Sequence, residues 1–62
     1  MNKRELLIRI SGCEQLLLIR AIAFKQAQAN QDQLKIEEAD AMLTESYNEL
    51  VSLRVAYAEA VR

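Results

Sequence analysis

Apolar and polar residues alternate with a helical period along most of this chain. The clearest stretch covers residues 31–61, where apolar or small side chains recur at alternating intervals of three and four residues. That spacing places them on one face of an α-helix. The residues of this stripe are Ile36, Ala39, Leu43, Ser46, Leu50, Leu53, Tyr57 and Ala60. The small residues Ala39, Ser46 and Ala60 lie among large ones along it, a pattern that favours close packing against a second helix.

A first helix is predicted over about residues 3–28, and it is apolar on two sides. One stripe has the three-four spacing and consists of Leu6, Ile10, Cys13, Leu17, Ala21 and Phe24. The apolar residues of the opposite side are Leu7, Ile8, Leu18, Ile19 and Ile22. A helix that is apolar all round must be covered all round, and one neighbouring helix covers a single stripe. The sequence therefore predicts contacts beyond this pair of helices.

The apolar period lapses near the middle of the chain, and we expect the chain to turn there. Asn30 is a favourable N-cap for a second helix, and Gln33 completes a capping box. This places the turn at about residues 29–30 and the second helix at about residues 31–61. Because neither Gly nor Pro enforces the break, a single continuous helix of about 58 residues is the alternative.

An antiparallel hairpin that turns near residue 30 brings together residues whose numbers sum to about 60. The pairs that this register predicts are Arg20 with Asp40, Arg54 with Glu5, and Cys13 with Ser46 and Tyr47. Gly12 lies beside the last of these pairs, inside the first helix, where Gly costs about 1 kcal/mol relative to Ala. Either the helix tolerates this Gly, or its missing side chain lets two helices approach closely at the level of Cys13.

The length of the chain limits how much apolar surface it can bury alone. Chains of 62 residues are marginal without disulfides, a metal or association with another chain. One cysteine and no histidine leave association as the remaining route. The chain has no Pro, one Gly and many strong helix formers. The predicted fold is all-α: one domain over residues 1–62, an antiparallel two-helix hairpin that dimerises into a four-helix bundle.

The two halves of the chain carry opposite charge, although the total is −1. Residues 1–31 hold five basic and two acidic side chains, and residues 32–62 hold three basic and seven acidic ones. The simplest interpretation is two oppositely charged helices that lie side by side. The alternative is a basic face on the first helix that meets an acidic partner.

The residue types that most enzymes use are missing or isolated. There is no histidine, no cysteine pair and no glycine-rich phosphate loop. Glu37, Glu38 and Asp40 cluster on a polar helix face, without the histidines that a carboxylate metal site in a helical bundle uses. We interpret Cys13, which lies on the packing stripe, as a small hydrophobic residue. We therefore predict no enzymatic activity, no cofactor and no metal.

The lone cysteine and the short apolar stretch bear on location and partners. A single cysteine is typical of a reducing compartment, which predicts a cytoplasmic protein. The apolar stretch 16–24 is shorter than the roughly 20 residues that a membrane span needs, so no membrane partner is expected. The expected partner is a second copy of the chain, and a different protein is the alternative.

In its length, mid-chain turn and layered core, the predicted arrangement resembles the Rop family of small plasmid RNA-binding regulators. The resemblance implies a dimer that binds RNA with the outer face of its first helix. The polar and basic residues that the sequence offers on that face are Lys3, Arg4, Gln15 and Lys25. Phe24, the only phenylalanine, lies on the packing stripe instead.

Three functions are consistent with these patterns. The first is a protein-interaction module, such as an adaptor, a regulator of phage or plasmid type, or a co-chaperone like the helical hairpins of bacterial secretion systems. The second is a Rop-like RNA-binding dimer, and the third is a purely structural coiled-coil element. For the first function, an edge Tyr–Arg pair anchors the interface beside the uncovered apolar residues. The predicted interface residues are Leu7, Leu18, Ile19, Ile22, Tyr47 and Arg54.

Overall fold

Two α-helices joined by a short turn make up the computed structural model, which describes residues 2–62. Helix α1 spans Lys3–Ala29 and helix α2 spans Gln33–Ala60. The helices pack antiparallel against each other, and the hairpin measures 45 by 14 by 13 Å. The predicted all-α helical hairpin is confirmed, and the alternative of one continuous helix is wrong.

The first turn of α1 is capped by the side chain of Asn2. Its Oδ1 accepts a hydrogen bond from the backbone N–H of Glu5 at 2.9 Å. The first four N–H groups of a helix have no partner within the helix, so this bond satisfies one of them. The carboxylate of Glu5, in the same turn, interacts favourably with the positive end of the helix dipole.

A Schellman motif ends α1, and this motif is why the turn differs from the predicted one. Gln31 adopts a left-handed conformation with φ of 55°. Its N–H donates to the carbonyl oxygen of Gln28 at 3.1 Å, and the N–H of Asp32 donates to that of Ala27 at 3.3 Å. These two bonds define the motif. Asn30, which we predicted to cap α2, is instead the C-cap of α1.

Helix α2 consequently begins two residues later than predicted, with Asp32 as its N-cap. Oδ1 of Asp32 accepts a hydrogen bond from the backbone N–H of Lys35 at 3.3 Å. Gln33 does not complete a capping box, because its side-chain amide donates to Glu37 Oε1 at 3.4 Å. A carboxylate is favoured over an amide at this position because it also interacts with the helix dipole.

The core is a single seam between the two helices. Its buried residues are Leu6, Ile10, Cys13, Ala27, Ser46 and Leu50. Most other residues of the two predicted stripes are half-buried beside them, namely Leu17, Ala21, Phe24, Ile36, Ala39, Leu43, Leu53 and Tyr57. Ala60 is the exception, since it is exposed at the end of α2. Both predicted packing stripes therefore form the core.

The predicted register is confirmed at the centre of the seam. The thiol of Cys13 donates a hydrogen bond to the backbone carbonyl of Ser46 at 3.5 Å. Cys13 is also part of the central apolar cluster with Ile10 and Leu50. It is thus a packed core residue, as the sequence indicated.

Arg20 lies at the predicted level, but its partner is not Asp40. Its guanidinium donates to the carbonyl oxygen of Met42 at 2.9 Å and to the hydroxyl of Ser46. Cα–Cβ bonds in a helix tilt toward its N-terminus, so a long side chain reaches beyond its own level. Arg20 therefore extends away from the turn and contacts α2 further along.

Arg54 departs from the prediction for the same reason. It forms an ion pair with Glu14 at 3.8 Å instead of lying beside Glu5. In the predicted register, Arg54 is level with residue 6 of α1. Glu14 lies eight residues further along α1, which corresponds to roughly 12 Å along the helix axis. They meet because Arg54 leans toward the turn and Glu14 leans toward the opposite end of the hairpin.

Gly12 makes no close approach to α2. A Cβ atom added to it would meet nothing within 4 Å. The close-approach alternative is therefore wrong within the hairpin. The absence of a side chain at Gly12 leaves an open position on the exposed side of α1.

Replacing Leu50 tests the seam. Leu50 is 3% exposed, and we expect Leu50→Ala to lower the free energy of unfolding by about 2–5 kcal/mol because it leaves a cavity in the core. The matched control is Val55→Ala, since Val55 is 54% exposed. Urea denaturation followed by circular dichroism measures both. Equal, small losses in the two variants would contradict the assigned core.

Replacing Gln31 tests the turn. Gly adopts the left-handed conformation without the steric cost of a Cβ atom, so we expect Gln31→Gly to stabilise the hairpin by about 1 kcal/mol. The control is Asn30→Gly, because Asn30 has φ of −84° and gains nothing from Gly. Thermal unfolding measures both variants. A loss of stability in Gln31→Gly would rule out the Schellman motif.

Candidate partner-binding surface

Helix α1 exposes large apolar side chains on the sides that α2 does not cover. Five of them are between 49% and 65% exposed. These residues are Leu7, Ile8, Leu18, Ile19 and Ile22. They are the apolar residues that the sequence placed opposite the packing stripe, and the hairpin leaves them without a neighbour. Large apolar side chains that are exposed in such numbers on one element typically mark an interaction site.

One groove runs between the helices near the turn, and we call it the Met42 groove. It encloses about 560 Å³. Its apolar lining is Leu16, Ile19, Ala23, Ala27, Ala39 and Met42. Its polar lining is Arg20, Gln26, Asn30, Lys35 and Glu38. Apolar grooves of this general kind bind amphipathic helices in many proteins.

A second groove lies on the other flank of the hairpin, and we call it the Arg54 groove. It encloses about 320 Å³ and is lined by Glu14, Leu17, Leu18, Ala21, Leu50 and Arg54. The ion pair between Glu14 and Arg54 crosses this groove, with both side chains more than half exposed. An exposed pair of this kind stabilises the fold by less than about 1 kcal/mol. Its main effect is to place a charge of each sign in an otherwise apolar groove.

Further apolar residues extend the Arg54 groove along the hairpin. Leu7 precedes Leu18 by eleven residues and Ile22 follows it by four, so all three share a face of α1. Tyr47 precedes Arg54 by seven residues and Val51 precedes it by three, so they share its face of α2. Tyr47 and Val51 are both exposed. We call this surface the Arg54 flank; it consists of Leu7, Leu18, Ile22, Tyr47, Val51 and Arg54.

The structure divides the predicted interface residues between the two flanks. Five of the six lie on the Arg54 flank, and Ile19 lines the Met42 groove instead. The sequence analysis missed three exposed residues of these surfaces: Leu16, Met42 and Val51. The signal for Val51 was its position four residues after Tyr47, on the same helix face. Leu16 and Met42 each lie next to a stripe residue, so the stripes alone did not single them out.

Arg20 lines the Met42 groove and forms hydrogen bonds from α1 to α2. Besides the Met42 carbonyl, it hydrogen bonds to Ser46, which is 1% exposed and the most buried residue of the hairpin. A buried hydroxyl without a partner is costly, so Arg20 stabilises the seam as well as shaping the groove. The sequence predicted Asp40 as the partner of Arg20 and did not indicate its hydrogen bond to Ser46.

The residues predicted for RNA contact do not form one patch. Lys3, Arg4, Gln15 and Lys25 are all exposed on α1. Lys3 and Arg4 lie at the end of the hairpin away from the turn, whereas Lys25 lies close to the turn. The 21 residues between Arg4 and Lys25 correspond to about 32 Å along the helix. The basic charge of α1 is therefore spread along its length.

Among residues 2–62, no three His, Cys, Asp or Glu side chains are arranged to hold a metal ion. The thiol of Cys13 is buried in the seam. In the same range, no helix is long and apolar enough to cross a membrane.

The fold and the surface define a class of protein: a two-helix hairpin with an apolar flank on each side of its seam. Comparisons of the chain with models of protein families, with curated proteins and with solved structures found no match. The exposed apolar flanks are therefore the basis for assigning a function.

Removing the Arg20 guanidinium tests its role in the seam. We expect Arg20→Met to lower the free energy of unfolding by about 1–3 kcal/mol, because the Ser46 hydroxyl loses its partner. In Ser46→Ala that hydroxyl is already absent, so adding Arg20→Met should cost less. Chemical denaturation of the four proteins in this cycle measures the coupling. Additive losses would contradict a shared hydrogen bond.

Proposed function

We propose that this protein is a non-enzymatic interaction module that works by docking helix against helix. The observation that supports this function is the apolar side of α1, where five large side chains are at least about half exposed. In water, such a surface favours association with another apolar surface. Amphipathic helices that dock into apolar grooves are a common mode of protein recognition.

The first docking event that we propose is self-association into a dimer. Two hairpins that pack flank to flank form a four-helix bundle, and the packing covers one further side of each α1. The flank that stays exposed in the dimer is then the surface for a different protein. In this role the protein acts as an adaptor, a co-chaperone or a regulator, and its lone cysteine favours a reducing, cytoplasmic setting.

RNA binding in the manner of Rop is the alternative function. The observation that favours it is the exposed pair Lys3 and Arg4 at one end of α1, on a helix whose net charge is positive. Phosphate contacts by such residues make binding strongly dependent on salt. A purely structural coiled-coil element is the third function, and it requires no surface beyond the dimer contact.

The oligomeric state is the first test of the proposed function. We expect sedimentation velocity to show a monomer–dimer equilibrium whose dimer fraction rises with concentration, because association buries the exposed apolar side chains. Helix content measured over the same concentration range shows whether folding and association are linked. A folded monomer at all micromolar concentrations would overturn self-association.

A pair of apolar substitutions tests which flank is used. We expect Leu18→Ser with Ile22→Ser to abolish association while helix content is retained, because both side chains are exposed in the hairpin. The control is Leu34→Ser with Val55→Ser, which removes two exposed apolar residues that line neither groove. Equal effects of the two pairs would show that association does not depend on the Arg54 flank.

The RNA alternative is tested by Lys3→Ala with Arg4→Ala. If RNA is the ligand, this pair weakens binding to RNA transcribed in the same cells, and parent binding falls steeply as salt is raised. The interaction module predicts instead no measurable RNA binding by the parent protein at physiological salt. Salt-sensitive RNA binding that the pair abolishes would favour the alternative.

A further inference from the structure

We propose that a second copy of the chain packs on the Arg54 flank with both turns at the same end, so that α1 of each copy lies against α2 of the other. This inference rests on the self-association proposed above and adds its surface and its orientation. Both follow from how apolar side chains and charges are distributed between the two helices.

The Arg54 flank is favoured because both helices contribute large apolar side chains to it. Leu7, Leu18 and Ile22 come from α1, and Tyr47 and Val51 come from α2. In a symmetric dimer, each helix of one copy packs against α1 or α2 of the other. A flank that is apolar on both helices therefore buries more apolar surface, in either arrangement, than a flank that is apolar on α1 alone.

The opposite flank is less suited to a second copy because its α2 side is largely charged. Met42 is the large apolar side chain that α2 contributes to it. Glu45 and Glu49, three and seven residues after Met42, share that helix face. Lys35 and Glu38 line the same groove. On the Arg54 flank, Arg54 and Glu14 already form an ion pair with each other. Burying that flank therefore costs less than burying the excess of negative charge on the opposite flank.

The size of the flank matches what a stable dimer needs. The described residues expose 4812 Å² in total, and a standard interface buries about 800 Å² per partner, roughly a sixth of that surface. One long side of the hairpin measures 45 by 14 Å, and its accessible area exceeds that projection. A single flank is therefore large enough for an interface of standard size.

Charge selects the orientation of the second copy. Helix α1 holds five basic and two acidic residues, and α2 holds two basic and six acidic ones, so their net charges are +3 and −4. If the two turns lie at opposite ends, symmetry places α1 on α1 and α2 on α2, and like charges meet. If the turns lie at the same end, α1 faces α2 of the partner, and every neighbouring pair of helices is antiparallel and opposite in charge.

Lys25 and Asp40 provide a specific contact in this arrangement. In the described hairpin, neither side chain takes part in an ion pair. Asp40 of the stacked partner is level with residue 20, so Lys25 lies about five residues nearer the turn. The two side chains lean toward each other, as Arg54 and Glu14 do within the hairpin. With the turns at opposite ends, the same two residues lie at opposite ends of the bundle.

The distance between the two turns tests the orientation directly. A spin label on Cys at position 31 (Gln31→Cys) reports it by double electron–electron resonance, in a Cys13→Ser background that keeps a donor toward the Ser46 carbonyl. Neighbouring helix axes in a bundle lie about 8–10 Å apart, so turns at the same end predict a label separation below about 25 Å. Turns at opposite ends predict a separation close to the 45 Å length of the hairpin.

A charge-swap cycle on the unlabelled protein tests the same arrangement without the cysteine changes. We expect Lys25→Glu and Asp40→Lys each to raise the dimer dissociation constant about 2–5-fold, and the double variant to recover most of that loss. Gly12→Ala is the control for substitutions outside the interface. Gly12 lies seven residues before Ile19, on the side of α1 away from the Arg54 flank, and its added Cβ atom meets nothing in the hairpin. We expect its dimer dissociation constant to match that of the parent.

Each result has a distinct meaning. A short label distance with recovery in the double variant supports the arrangement. A distance near 45 Å, or additive effects of the two charge changes, overturns this arrangement and leaves self-association intact. A folded monomer overturns both the arrangement and the dimer of the proposed function. Weaker association in Gly12→Ala would overturn the choice of flank.

Discussion

A helix that packs against one neighbour buries a stripe of roughly 100° of its surface, and α1 is apolar over much more than that. The rest of the molecule depends on this mismatch. Leu6, Ile10 and Cys13 fill the seam with α2, and the large side chains at Leu18 and Ile19 project to either side of it. Two helices have no geometry that covers both flanks. The hairpin thus has a packed seam between its two helices, but it leaves large apolar side chains of α1 exposed.

Polar side chains at the borders of the seam define the two flanks. Arg20 reaches across one border to the Met42 carbonyl and to the buried Ser46 hydroxyl. Across the other border, the ion pair of Arg54 and Glu14 spans an apolar groove. Both arginines reach past their own level because helical side chains lean toward the N-terminus of their helix. This lean separates both arginines from their predicted partners, and each arginine lines one of the two grooves.

The turn shows how a hairpin forms without Gly or Pro at its tip. A left-handed residue closes the Schellman motif at the end of α1, and Gln31 takes that conformation although its Cβ atom disfavours it. Asp32 then starts α2 immediately by capping its first turn. The chain reverses within Asn30, Gln31 and Asp32, so the seam extends close to the turn, where Ala27 is buried.

The sequence by itself determined the helices, their packing stripes and the register, because each follows from a repeat of three and four residues. Leu50 and Ser46 lie in the core for that reason, and the thiol of Cys13 meets the backbone of Ser46 as the register requires. The sequence also indicated the excess of apolar residues on α1, because α2 has no second apolar stripe that could cover Leu7, Leu18 and Ile22. Those residues are among the exposed ones.

Only the tertiary structure decided which flank each exposed residue joins, where the arginines bind and how the turn closes. The sequence groups Leu18 and Ile19 on the side of α1 opposite the packing stripe, but the position of α2 assigns Leu18 to the Arg54 groove and Ile19 to the Met42 groove. Spacing along the chain predicts how far along the hairpin a residue lies, but not how far its side chain extends. The hydrogen-bond partners of Arg20 and the ion-pair partner of Arg54 were therefore visible only in the tertiary structure. Asp32 caps α2 because Gln31 adopts a left-handed conformation. That conformation is uncommon for residues other than Gly, so a Gln in the sequence does not predict it.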